Sequence, residues 1–238
     1  MRFSPGSTIL FLLALSLSLS VVTSGQWQKK PYKDWSEKEA LAVLNSSPWG
    51  QTQIYTDTSH MFDEGRRVLS NEKREIEVPE IRFRIRFFSS KPIRQATSRL
   101  VELMQKGQLS KQLAAQLDGL ANADFPDYII VTVTTETGQA GSLMGIAASL
   151  LDRQSTANLQ NNTYLSVKGG KRVYLSEYQA PRKDGLGARF IFPRIVDGKP
   201  FITSASDEVL FFSDLNDGPE LSMRFKIKDM MFNGSLEY

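Results

Sequence analysis

Ile81-Arg82-Phe83-Arg84-Ile85-Arg86-Phe87-Phe88 alternates apolar and cationic side chains without interruption. A period of two marks a strand with one buried and one solvated face, so Ile81, Phe83, Ile85 and Phe87 are assigned to a core. Arg82, Arg84 and Arg86 then share the opposite face, spaced about 7 Å apart at two residues per repeat. Planar guanidinium groups suit phosphate and carboxylate better than ammonium groups do, which makes this row the candidate binding site. The competing reading is a solvated sheet face whose arginines pair internally with acids such as Asp214 or Asp217.

On the C-terminal side of that strand, a helix is expected from Lys91 to about Lys106. Pro92 lies in its first turn, Ile93, Ala96, Leu100 and Met104 on one face, and Gly107 stops it. A second helix is expected after Ser110, with Leu113, Leu117 and Leu120, ending at Asp124-Phe125-Pro126-Asp127. The short link between the two favours an antiparallel helical hairpin. On the N-terminal side, Ser36 and Glu39 have capping-box spacing, with Trp35 placed to staple onto Ala40. Ala40, Leu41 and Leu44 form the apolar face of that helix, Pro48 ends it, and residues 56–77 read as a long loop.

Tyr128 to Glu136 (YIIVTVTTE) is β-branched and reads as a central strand. Gly138 to Leu151 has helical spacing at Leu143, Ile146, Ala147 and Leu150. Beyond Asn161 the pattern turns to β. A hairpin joins Tyr164–Val167 to Arg172–Tyr178 through Lys168-Gly169-Gly170-Lys171, and strands follow near 188–192, 200–203, 208–212 and 221–227. The expected fold class is α+β, with helices mainly in the first half and a mainly antiparallel sheet dominating the second.

The 238 residues carry a net charge of +3, no cysteine and one histidine. Missing cysteine excludes disulfide scaffolds, thiol nucleophiles and Cys-ligated metals, and a lone histidine excludes a multi-His centre within one chain. No cofactor or metal is therefore expected, and a charge this small does not mark a nucleic-acid binder. Ile9 to Val22, between Arg2 and the small residues Thr23, Ser24 and Gly25, has the layout of a secretory signal peptide. Residues 1–24 are read as that signal, with cleavage after Ser24 or, alternatively, Gly25, and 25–238 as one exported domain with no later membrane span.

Several constellations fail on geometry or spacing. Ser59-His60 with Asp57 or Asp63 names the residue types of a triad, but a triad is assembled from separate segments and not from one polar loop. Gly138, Gly141 and Gly145 follow a strand yet lack the Gly-Lys-Ser/Thr ending of a phosphate loop. Charge distribution is more informative: Arg66 to Lys106 has a net charge of +6, and Asp207 to Glu220 has −5.

Short pieces of the chain carry a resemblance. Trp35-Ser36-Glu37-Lys38-Glu39-Ala40, Asn45-Ser46-Ser47-Pro48-Trp49, Ser90-Lys91-Pro92-Ile93-Arg94-Gln95-Ala96 and Lys228-Asp229-Met230 with Asn233-Gly234 are similar to segments of exported acidobacterial proteins of unknown function. The resemblance implies an exported α+β protein without an assigned activity. The expected function is a non-catalytic binding or interaction domain of the cell envelope or periplasm. Its expected partner is an anionic envelope component or an acidic protein, and the alternative is a hydrolase using Asp/Glu or Ser/Lys chemistry without metal.

Overall fold

In the computed structural model, which describes residues 27–56, 80–105, 107–137, 149–216 and 218–238, the arginine-bearing strand lies between two partners. β1 (Gly50–Thr56), β2 (Glu80–Phe87), β3 (Tyr128–Thr137), β6 (Glu177–Gln179) and β7 (Ala188–Pro193) form a five-stranded antiparallel sheet in the order β1-β2-β3-β7-β6. A second antiparallel sheet has the order β11-β10-β4-β5, from β4 (Thr163–Val167), β5 (Arg172–Tyr174), β10 (Glu208–Asp214) and β11 (Glu220–Lys226). The fold is α+β, with the longer described helices before β3, a short one at Thr156–Leu159 after it, and the described strands antiparallel throughout.

The inner faces of the two sheets meet through aromatic side chains. Phe87 packs edge-on to Phe225 at 4.8 Å and Phe190 to Phe211 at 5.3 Å between ring centroids. Such pairs add about 0.5–1.5 kcal/mol each beyond the area they bury. Ile81, Phe83, Ile85 and Phe87 are all buried, as their alternation requires, and Val131 and Val133 continue that face on β3. At the sandwich edge, the Gln53 side chain substitutes for a neighbouring strand: its amide donates to the Glu220 carbonyl at 2.7 Å and accepts from the Ser222 N–H at 2.8 Å.

The helices cover the other face of the five-stranded sheet. α1 (Glu37–Asn45) begins with the expected capping box of Ser36 and Glu39. α2 (Lys91–Met104) and α3 (Lys111–Asn122) form the expected antiparallel hairpin, tied by a hydrogen bond from the Ser98 hydroxyl to the Leu117 carbonyl at 3.0 Å. All three tryptophans of the chain lie in one cluster, Trp27 against Trp35 at 5.1 Å and against Trp49 at 6.1 Å. Trp49 also donates its indole N–H to the Glu237 carbonyl at 2.7 Å, which ties the last described segment to the region between α1 and β1.

Several expectations need correction. The five-stranded sheet draws strands from both halves of the chain, and β1 carries no apolar alternation strong enough to announce it. Arg172–Tyr178 is not one strand: it breaks at Leu175-Ser176, and Glu177–Gln179 crosses into the other sheet. The segment 200–203 is extended only at its first residue, where β9 (Lys199–Pro200) pairs with β8 (Ile195–Val196). Three readings fall outside the described residues: the signal segment 1–24, His60 with the 57–77 loop, and most of the helix expected from Gly138.

Candidate functional site

The first half of the site is built by the end of α1. A helix leaves its last four carbonyls without intrahelical partners. Here Ala42 O accepts from the Ser46 N–H at 2.9 Å, Val43 O from the Ser47 hydroxyl at 2.5 Å, and Asn45 O from the Thr52 hydroxyl at 3.4 Å. Leu44 O accepts from Nε of Arg86 at 2.9 Å. Close approach of helix and sheet makes this reach possible, because Gly50 stands opposite Arg86 in the β1–β2 register. A Cβ at Gly50 would lie 2.2 Å from the Leu44 carbonyl oxygen, so only glycine fits.

The three arginines therefore differ in circumstance. Arg82 pairs with Glu80 beside it, half exposed. Arg84 pairs with Glu136 across the β2–β3 ladder and donates to the Thr52 hydroxyl at 3.0 Å. Neither uses Asp214, and Asp217 lies outside the described residues. Arg86 has no carboxylate partner among the described residues. Its remaining bonds run from one terminal nitrogen to the Thr134 hydroxyl at 3.1 Å and from the other to the Asn45 side-chain oxygen at 2.8 Å. Burial, and next the Arg84 charge, push its pKa down to about 10, so it remains a cation at neutral pH.

Arg86 belongs to a row that crosses the whole sheet: Gly50, Arg86, Thr132, Arg189 and Gln179 stand opposite one another on successive strands. Thr132 is only 2% exposed; its hydroxyl makes no hydrogen bond among the described residues but is not sealed away from open space. Arg189 is neutralised by Asp184, while its other terminal nitrogen is buried and unpartnered. Gly187 holds the loop carrying Asp184 close to β3: its φ is +78°, and a Cβ there would meet the Val133 carbonyl oxygen at 2.3 Å.

Above this row lies a groove of about 400 Å³, within the range typical of small-ligand sites. Arg86, Thr132 and Thr134 form its floor. Its α2 wall presents Ile93, Leu100, Val101 and Met104, while Leu41 and Leu44 of α1 and the loop at Asp184–Leu186 complete it. Leu41 and Met104 were expected on core faces, yet Met104 is 69% exposed and both residues stand on the groove lining. Their apolar spacing was the one sequence signal pointing to this wall. Thr132 and Thr134 gave none, because threonine in a strand is ordinary β-branched filling.

A second, polar cavity of about 290 Å³ holds Lys91, Arg94 and Arg194 together with Asp124 and Glu237. Its donors are consumed from within in part, the Arg94 Nε being buried without a partner. Arg94, 3% exposed, donates to the Ser89 and Ala123 carbonyls, and the Glu237 carboxylate accepts from the Lys91 N–H at 3.0 Å. Among the described residues no group of acids or histidine is arranged to hold a metal ion, and no helix is long and apolar enough to cross a membrane. Comparison with known proteins finds no matching family model, no matching curated protein and no matching solved structure.

Proposed function

We propose that this protein is an exported, non-catalytic binding domain of the cell envelope or periplasm that takes an anionic ligand in the groove above the arginine row. Support for export is the Ile9–Val22 stretch with its small-residue flank. The observation that carries the binding reading is Arg86, a cation fixed by three neutral acceptors, with Leu44, Thr134 and Asn45 engaging three of its five N–H donors. The negative end of α1 offsets roughly half a charge. The remainder is exposed to the groove, where an anion can complete it. Arg82 and Arg84, already paired with carboxylates, take a supporting place beside it.

The reading is tested by titrating the purified protein with acetate, inorganic phosphate, decanoate and decyl phosphate, following heat of binding and melting temperature. At least one anion should bind saturably at one site and raise the melting temperature. The R86Q protein should lose that response. Absence of saturable binding by all four anions overturns the reading.

A further inference from the structure

Resting on the reading above, we infer that the groove takes a free, unbranched alkyl carboxylate of medium length, its head group on Arg86, Thr132 and Thr134 and its chain along α2 toward Met104. Head-group chemistry follows from counting donors. Arg86 donates once from each terminal nitrogen within the protein, which leaves one N–H on each nitrogen for a ligand. Two parallel N–H groups match the two oxygens of a carboxylate. The Thr134 hydroxyl accepts from Arg86, so its own proton is free to point into the groove. The Thr132 hydroxyl, on the groove lining directly opposite Arg86 and without a hydrogen bond among the described residues, is a third donor. A ligand oxygen gives it an acceptor that its neighbours do not.

Charge selects a monoanion. Glu136 neutralises Arg84 and Asp184 neutralises Arg189, so the floor keeps one unbalanced cation. Asp184 itself lines the groove, and a second negative charge on the ligand would be repelled by it. The body of the ligand is set by the wall. Ile93, Leu100, Val101 and Met104 recur on one side of α2 from position 93 to position 104, eleven rises of 1.5 Å or about 16 Å. No charged side chain of α2 lines that wall, and its far end opens at the exposed Met104. A single chain fits the 400 Å³ groove, whereas a paired-chain lipid in a bilayer would have to leave its leaflet.

Calorimetric titration with decanoate, decyl phosphate, decanol and acetate tests the assignment. Decanoate should bind one to one and about tenfold or more tighter than each of the other three. T132V, which keeps the shape and removes the hydroxyl, should weaken decanoate several-fold without lowering the melting temperature. M104E should weaken decanoate while leaving acetate unchanged. Because R86Q also removes a contact to α1, these two variants decide the matter even if R86Q folds poorly. Equal or tighter binding of decyl phosphate or decanol, indifference of decanoate affinity to both variants, or preference for anionic vesicles over free decanoate overturns the inference. A tight phosphate ligand would do so while leaving the anion-binding reading standing.

Discussion

Arg86 donates from Nε to the main-chain oxygen of Leu44 at 2.9 Å, so the candidate ligand-binding cation is also the cap of a helix forty-two positions earlier in the chain. Hydrogen bonds to charged groups contribute about 1.5–3 kcal/mol each, and an abandoned buried acceptor adds a desolvation cost. R86M should therefore lower unfolding stability by about 2 to 3 kcal/mol, measured as a shift in denaturation midpoint. R82Q, removing a half-exposed pair with Glu80, should cost less than about 1 kcal/mol. R84Q should fall between them. If all three variants shift the midpoint equally, the arginines do not differ in the way their partners indicate.

Gly50 has no room for a side chain, since its Cβ would overlap the Leu44 carbonyl oxygen. G50A should push α1 away from β1, costing about 1–3 kcal/mol as overpacking does. The denaturation midpoint should fall with an unchanged m-value. An alanine variant as stable as the parent would show that α1 is not seated on β1 this closely.

Thr132 predicts no loss. Its hydroxyl makes no hydrogen bond among the described residues, so T132V should be as stable as the parent protein in the absence of ligand, to within about 0.5 kcal/mol. Melting temperature without ligand measures this directly. A clear loss of stability would mean that the hydroxyl has a partner within the fold.

Glu39 gives a pH dependence. Its hydrogen bond from Lys30, and next that from the Ser36 N–H, hold its carboxyl down at about 2. A carboxyl lowered in the folded state contributes stability above its unfolded pKa and loses it as pH falls through the folded value. The contribution should fade between about pH 4.5 and 2, and should stay at about 1 kcal/mol because the partner Lys30 is solvated and the pair is screened. E39Q should flatten that part of the acid unfolding curve. An unchanged curve would remove Glu39 as the source.

Trp49 joins distant parts of the chain through its indole N–H to Glu237 O. W49F keeps an aromatic ring in the tryptophan cluster and removes that donor. Amide exchange at residues 230–238 should accelerate several-fold, with smaller changes in β10. Uniform acceleration throughout the chain would show instead that the substitution affects global stability.

Local chemistry in the sequence determined the elements whose information is periodic or terminal. Alternation from Ile81 to Phe87 set a strand and its buried face, and Ser36 with Glu39 set the start of α1, because these signals depend on neighbours two to four residues away. Gly107, Gly169 and Gly170 marked turns through the left-handed backbone they adopt. The partners of each arginine were decided only by tertiary structure. Strand register placed Glu136 one diagonal step from Arg84 and Thr132 directly opposite Arg86, and a shift of one residue would have turned each side chain to the other face. The groove likewise depends on how far α1 and α2 stand from the sheet. Leu41 and Met104 carry the same apolar chemistry whether a helix face is fully covered or left partly open, and only packing separates the two.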